Sequence, residues 1–188
     1  MSDILDSWDY FPSTVYRIEK PEFLEVVTTV SDEYLKNLSF NEIYPTIMSE
    51  NYAYDTRLSD FCSYITQTAW NILNGQGYDM DNYNTTIDVM WSQKHYKYSS
   101  MDYHVHPGIQ LVGFYILKVP EENGSRLTIH DPRAAKIQID LPKKEIPEIN
   151  NSTSEINFEL KPGTLFFTNA WLPHSFSRNG SDTESVEF

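Results

Sequence analysis

Five histidines punctuate the sequence, and three of them stand where imidazoles could converge on one point. His104 and His106 lie in the run Tyr103-His-Val-His-Pro-Gly108, and His174 lies in Ala170-Trp-Leu-Pro-His-Ser-Phe176. Along an extended chain successive side chains alternate sides, so His104 and His106, two residues apart, present their rings to the same side. Pro107 biases His106 towards extended geometry and removes a backbone donor, as suits a strand about to open into a loop. A third imidazole must come from far along the chain. His174, behind Pro173 at the start of a late strand, supplies it if the sheet folds back on itself. Three neutral imidazoles on one wall of a cavity suit Fe(II), Zn, Cu or Ni and leave positions open for a ligand or O2. The competing explanation is that each ring is an ordinary hydrogen-bonded core or surface residue. His95 and His130, which lack such a context, are assigned to it. Cys62 is the single cysteine and cannot alone build a thiolate site, so a metal here is held by His, Asp or Glu. It falls on an apolar helix face with no base beside it in sequence and reads as packing.

The elements that must position these rings are of two kinds. Residues 1–80 read as a helical support region, with a short extended piece from Thr14 to Glu19, a helix from Pro21 towards Leu38, and a stronger helix from Asp55 to Asn74. In the last, Leu58, Phe61, Cys62, Ile65, Ala69 and Leu73 recur three and four apart, and Gly75 offers a C-terminal stop. Residues 81–188 read as the catalytic core, built of short β-rich runs: Thr85 to Trp91, Ile109 to Val119, Arg126 to His130, Ile156 to Leu160, Thr164 to Thr168 and His174 to Arg178. Turns belong at Pro120 to Gly124 and at Lys161-Pro-Gly163. The run from Ile109 to Leu117 is apolar on both alternations, which predicts a central strand covered on both faces. No repeat or linker divides the chain, so we expect a single domain, 1–188. It is mostly β with flanking helices, arranged as a two-sheet sandwich or jelly roll with helices packed on the back.

The chain has 188 residues, with 14 Lys and Arg against 27 Asp and Glu, a net charge of −13 and a pI near 4.6. Such a field repels phosphate backbones and anionic lipid, so no nucleic-acid partner is expected. No apolar run long enough for a bilayer is present, and the start, MSDILDSWDYF, carries acids where a signal peptide needs a basic segment. The expectation is a soluble, cytoplasmic protein, monomer or homodimer, acting on a small molecule or peptide. The triplets at Asn84, Asn123, Asn151 and Asn179 then read as turns and not as glycosylation sites. Trp91, Tyr103, Phe166 and Trp171 surround the histidine motifs as pocket or core residues.

From Trp91 onward these residues form an ordered set: His104-Val-His-Pro107, Val112-Gly-Phe-Tyr-Ile-Leu117, Asp131-Pro-Arg133, Pro162-Gly-Thr-Leu-Phe-Phe167 and Trp171-Leu-Pro-His174. In that order they resemble the 2-oxoglutarate and Fe(II)-dependent oxygenases of prolyl-hydroxylase type, and most closely a phage and marine-bacterial branch of them. The resemblance covers roughly the last half of the chain. It implies a double-stranded β-helix (jelly roll) and a dioxygenase that uses Fe(II), 2-oxoglutarate and O2 to hydroxylate a substrate, with a prolyl residue in a peptide the first candidate. If the protein comes from a phage, the host cytoplasm is its setting.

Carried over residue by residue, the resemblance makes His104 and His174 iron ligands and puts His106 where most of the superfamily has Asp. The ligand set is then His104, His106 and His174, with Asp102 or Asp131 as substitutes for His106. Tyr115 matches a position whose phenol binds the distal carboxylate of 2-oxoglutarate. The basic residue expected about ten residues beyond the distal histidine is missing, because the chain there reads Thr183-Glu-Ser-Val-Glu-Phe188. Arg133 is the first candidate to replace it, ahead of Arg126 and Arg178, although pairing with Asp131 explains Arg133 equally well. Two other readings stay open. The spacing of His104, His106, Gln110, His174 and Asn179 approximates a cupin that does not use 2-oxoglutarate, and a jelly-roll adaptor or virion component needs no catalysis at all.

Overall fold

The computed structural model describes residues 6–40, 42–138, 141–144, 148–182 and 186–188. It is mostly β-sheet with two helices. The extended piece foreseen near residue 14 is β1 (Val15–Glu19). Pro21 opens a 3-10 turn, and α1 (Leu24–Leu35) follows, ending three residues short of the expected Leu38. The short strand β2 (Thr46–Met48) is followed by a 3-10 turn, Thr56–Leu58, capped by Asp55, whose carboxylate accepts from the Arg57 amide at 3.0 Å, and this turn leads into α2 (Ser59–Gly75).

The stop of α2 corrects the sequence reading. Gly75 is still helical, and it is Gly77 that takes φ +95°. The Gly77 amide donates to Asn74 O at 3.0 Å and the Tyr78 amide to Leu73 O at 3.2 Å. This is the paired closure that a left-handed residue makes possible, and only glycine reaches it without strain.

Eight more strands complete the described β-structure: β3 (Gln93–His95), β4 (Met101–His104), β5 (Leu111–Tyr115), β6 (Arg126–His130), β7 (Glu155–Glu159), β8 (Thr164–Asn169), β9 (His174–Phe176) and β10 (Val186–Glu187). They form three antiparallel sheets, ordered β1-β8-β5, β10-β3-β2 and β4-β9-β6-β7. The expected strand from Thr85 to Trp91 is absent. Its backbone is satisfied elsewhere, the Met90 amide donating to the Asn51 side chain and Met90 O accepting from the Tyr52 amide.

The doubly apolar run around β5 is covered on both faces, as its composition demands, but it lies at the edge of its sheet. The central strand is β8, all six residues of which are buried. Alternation along β5 and β8 feeds two cores. Tyr115, Leu117, Leu165 and Phe167 pack with Val27 and Val30 of α1 and with Phe61 and Ile72 of α2. Phe114, Ile116 and Phe166 pack with Leu127, Ile129, Leu172 and Phe176, so this layer lies between two sheets. The Lys161-Pro-Gly163 turn joins β7 to β8 with Gly163 at φ +78°, and a Cβ there would meet the Pro21 backbone at 3.0 Å. Among the described residues, no helix is long and apolar enough to cross a membrane.

Candidate metal centre

The three histidines singled out by spacing come together. His104 ends β4, His174 begins β9, and the two are direct partners in the antiparallel pairing of those strands, with a register shift between Met101 and His104. His106 lies two residues past the end of β4, where its amide donates to Ala170 O at 2.9 Å. Ring centroids are 4.3 Å apart for His104 and His174, 5.0 Å for His104 and His106, and 5.1 Å for His106 and His174. One nitrogen of each ring lies within 4.8 Å of the others, and among the described residues this is the group able to hold a metal ion.

Hydrogen bonding settles which nitrogens are left free to take a metal ion. His104 Nδ1 contacts Asp102 O at 2.7 Å, and His174 Nδ1 contacts Leu172 O at 3.0 Å. A carbonyl only accepts, so both Nδ1 atoms carry hydrogen and both Nε2 lone pairs are left for a ligand. His106 Nε2 lies 3.2 Å from His174 Nε2. Two nitrogens bound to one ion at ~2.1 Å stand about 3.0–3.4 Å apart at ordinary cis angles, so this pair is already at chelating distance. His174 is fully buried, and burial pushes its pKa down to about 4; burial and then the neighbouring His104 lower that of His106. Both imidazoles are therefore neutral at pH 7, which is the ligand form. The donor set fits Fe(II), with open positions on the side away from the three rings.

Among the described residues, no carboxylate joins the cluster. Asp102 contributes its carbonyl to His104 and leaves its side chain exposed. Asp131 is held by the Arg133 guanidinium at 2.9 and 2.8 Å and by Lys136 at 2.7 Å, and these cations keep its carboxyl well below the usual range, Arg133 first. Arg133 is thus paired with Asp131 at the surface. Arg126 faces Glu159 at 3.6 Å. Tyr115 donates its phenol hydrogen to Lys20 O at 2.6 Å, with Phe61 packed on its ring, and it occupies the opposite face of β5 from Phe114. Phe114 is the residue that spacing did not reveal: its ring lies edge-on to His174 at 5.1 Å. The cupin alternates diverge as well, since Gln110 accepts the Ala170 amide at its backbone and Asn179 is buried, donating to His95 O.

The cluster opens on a cavity of about 940 Å³ whose walls include His104, His106, Trp91, Phe114, Tyr115 and Trp171. Much of one wall is the irregular stretch from Tyr78 to Trp91 that sequence reading took in part for a strand. Tyr103 instead packs on His130, and Phe166 is core. None of the 14 lysines and arginines lines the cavity, and among the described residues its acidic wall residues are Asp79 and Asp88. Thr183, Glu184 and Ser185, where the resemblance looks for a basic residue, lie outside the described residues.

Comparison with known proteins fits this geometry. A protein-family profile described as "Putative 2OG-Fe(II) oxygenase" matches residues 89–188, more than half of the chain and the part that holds all three histidines. The fold is similar to that of a Pseudomonas putida prolyl-4-hydroxylase, with 9% identity and a TM-score of 0.62 over 93% of this chain and 89% of that one. It is also similar to an oxidoreductase of the 2OG-Fe(II) oxygenase family from Burkholderia pseudomallei, with 10% identity and a TM-score of 0.51 over 87% of this chain and 74% of the other. No curated protein matches the chain. The family match decides for the oxygenase reading over the cupin and scaffold readings, and with it come Fe(II), 2-oxoglutarate and O2 as cofactor and co-substrates. The three histidines gather where β4 and β9 pair, His174 buried and the other two half-buried, beside an aromatic cavity, and all three fall within the residues that the profile matches: the chain belongs to the 2-oxoglutarate and Fe(II)-dependent oxygenases.

Proposed function

We propose that this protein is a hydroxylase in which His104, His106 and His174 hold Fe(II), and that its substrate is a small molecule or peptide, with a prolyl residue the first candidate. The observation that carries the assignment is the convergence of three imidazoles, two of them with Nε2 left free by a carbonyl at Nδ1, beside an aromatic cavity. Bound there, the metal and 2-oxoglutarate supply the oxidising chemistry. The chain's own part is to hold three imidazole nitrogens in place, keep water out with Trp91, Phe114 and Trp171, and orient the carbon to be oxidised. For the distal carboxylate we propose a neutral donor on the cavity wall, Gln110 first, with Tyr115 joining it only by giving up its hydrogen bond to Lys20 O. Arg133 is tied to Asp131 and stands outside that wall.

The finer architecture follows the same reading. We take the sheets β1-β8-β5 and β4-β9-β6-β7, facing each other across the Phe114 and Phe166 layer, as the two halves of a double-stranded β-helix. In this single domain, residues 81–188 form the catalytic core and residues 1–80 support it, packing α1 and α2 on the major sheet; β1 and β2 join the sheets from that support region. The proposed setting is the cytoplasm, where the lone Cys62 stays reduced.

The test is CO2 release from 2-oxoglutarate by the iron-loaded protein, with peptides containing proline screened for a mass gain of one oxygen. Turnover that disappears in His174→Ala supports the assignment. Turnover that survives in that variant refutes it.

A further inference from the structure

We propose that Gln76 and Asn169 form an amide clamp that positions the metal centre, linking the end of α2 to two of the three ligand histidines; the inference rests on the triad being that centre. Gln76 caps α2, and the turn at Gly77 leaves its side chain facing the end of β8. There the two carboxamides pair reciprocally. Asn169 Nδ2 donates to Gln76 Oε1 at 3.0 Å, and Gln76 Nε2 donates to Asn169 Oδ1 at 3.1 Å and to the Tyr16 hydroxyl at 3.3 Å. Asn169 is buried, so a partner removed here leaves amide groups without replacement by water. Two antiparallel bonds between planar groups fix orientation as well as distance, which one bond does not do.

What the clamp holds is the first residue of a turn built into the site. Asn169 O accepts the Leu172 amide at 3.0 Å and closes the turn. Ala170 donates to Gln110 O and accepts the His106 amide, both at 2.9 Å. Leu172 O receives the Nδ1 hydrogen of His174 at 3.0 Å. The four residues from Asn169 to Leu172 thus bond directly to His106 and to His174, the pair whose Nε2 atoms stand 3.2 Å apart. A shift of the turn acts directly on both of these ligands, whereas His104 has no bond to the turn: its ring is oriented by Asp102 O, and its backbone pairs with His174 across β4 and β9. Gln76 belongs to the helical segment outside the matched residues 89–188, so the clamp gives that segment a part in the chemistry beyond covering the sheet.

The experiment is titration of the metal-free, full-length protein with Co(II), read by its visible absorption, for the wild type, Gln76→Ala, Asn169→Ala, the double variant and His174→Ala. Outer-shell partners of metal ligands typically change affinity 10–100-fold. Each single variant should therefore weaken Co(II) binding about 10-fold and alter the band shape, and the double variant should be no worse than either, because the pair acts as a unit. Val30→Ala, which opens a cavity in the same helical core without touching the amides, should lower the melting temperature and leave the spectrum unchanged. If Asn169→Ala does not fold, Gln76→Ala at the exposed end of a helix carries the test. Binding lost in His174→Ala but unchanged in Gln76→Ala overturns the clamp alone, as does a spectral change in Val30→Ala equal to that in Gln76→Ala. A wild type that binds no Co(II), or His174→Ala that binds as well as the wild type, overturns the centre and the clamp with it.

Discussion

A histidine whose Nδ1 hydrogen is committed to a carbonyl has one nitrogen left, and that is the state of both His104 and His174. His106 has no such commitment at its ring and sits where most of the superfamily places Asp. Exchange to a carboxylate there keeps three ligands and restores the two-histidine, one-carboxylate set. His106→Asp is therefore expected to bind Fe(II) within about tenfold of the wild type, while His106→Ala loses at least that much more, by equilibrium competition with a chelator. A second prediction concerns His95, which is fully buried beside Phe176 and Phe188 and whose pKa burial pushes down to about 4. Its unfolded value is near 6.5, so the unfolded chain binds the extra proton first as pH falls. Stability from keeping His95 neutral is then present above pH 6.5 and drains away between pH 6.5 and 4, amounting to roughly 3 kcal/mol. Denaturant melts of the metal-free protein should show this slope, shared with His174, and His95→Phe should flatten it; an unchanged slope would show that His95 is not buried neutral.

At the scale of elements, the stop of α2 offers a test that involves no ligand. Gly77 has φ +95° and open space where a Cβ would stand, so Gly77→Ala probes backbone strain alone. We expect a loss of about 1 kcal/mol, or roughly 2–4 °C in melting temperature, whereas Gly75→Ala, inside the helix, should be neutral or stabilising. Sequence reading named the wrong glycine because the apolar pattern ends at Leu73 and both glycines lie within a turn of it. Other elements were illegible for similar reasons. Strands β2, β3 and β10 are two or three residues long and carry no period to read, and their pairing partners are distant in sequence. The run from Thr85 to Trp91 has strand-like residues, yet its backbone bonds to Asn51 and Tyr52, a choice made by tertiary context. By contrast β6, β7 and β8 were found to within a residue or so, because each is five or six residues long and bounded by turn formers.

Over the whole molecule, the site was legible where its geometry is local and hidden where it is not. His104 and His106 announce themselves by a two-residue spacing, and His174 by its place in an ordered run of motifs. The clamp residues Gln76 and Asn169 are 93 positions apart and carry no mark of each other until the fold joins them. The net charge of −13 also has a local counterpart, since among the described residues the cavity beside the histidines holds two acidic residues and no basic one. That distribution suits a neutral or cationic substrate better than an anionic one. It also makes the 2-oxoglutarate complex the sharpest question to put to the protein. The measurement that tests the central claim is an anaerobic titration with Fe(II) and then 2-oxoglutarate, followed by the visible absorption that a keto acid chelated to Fe(II) produces. The account predicts one band per chain, absent in His174→Ala; Fe(II) binding with no band, or a band that persists in that variant, contradicts it.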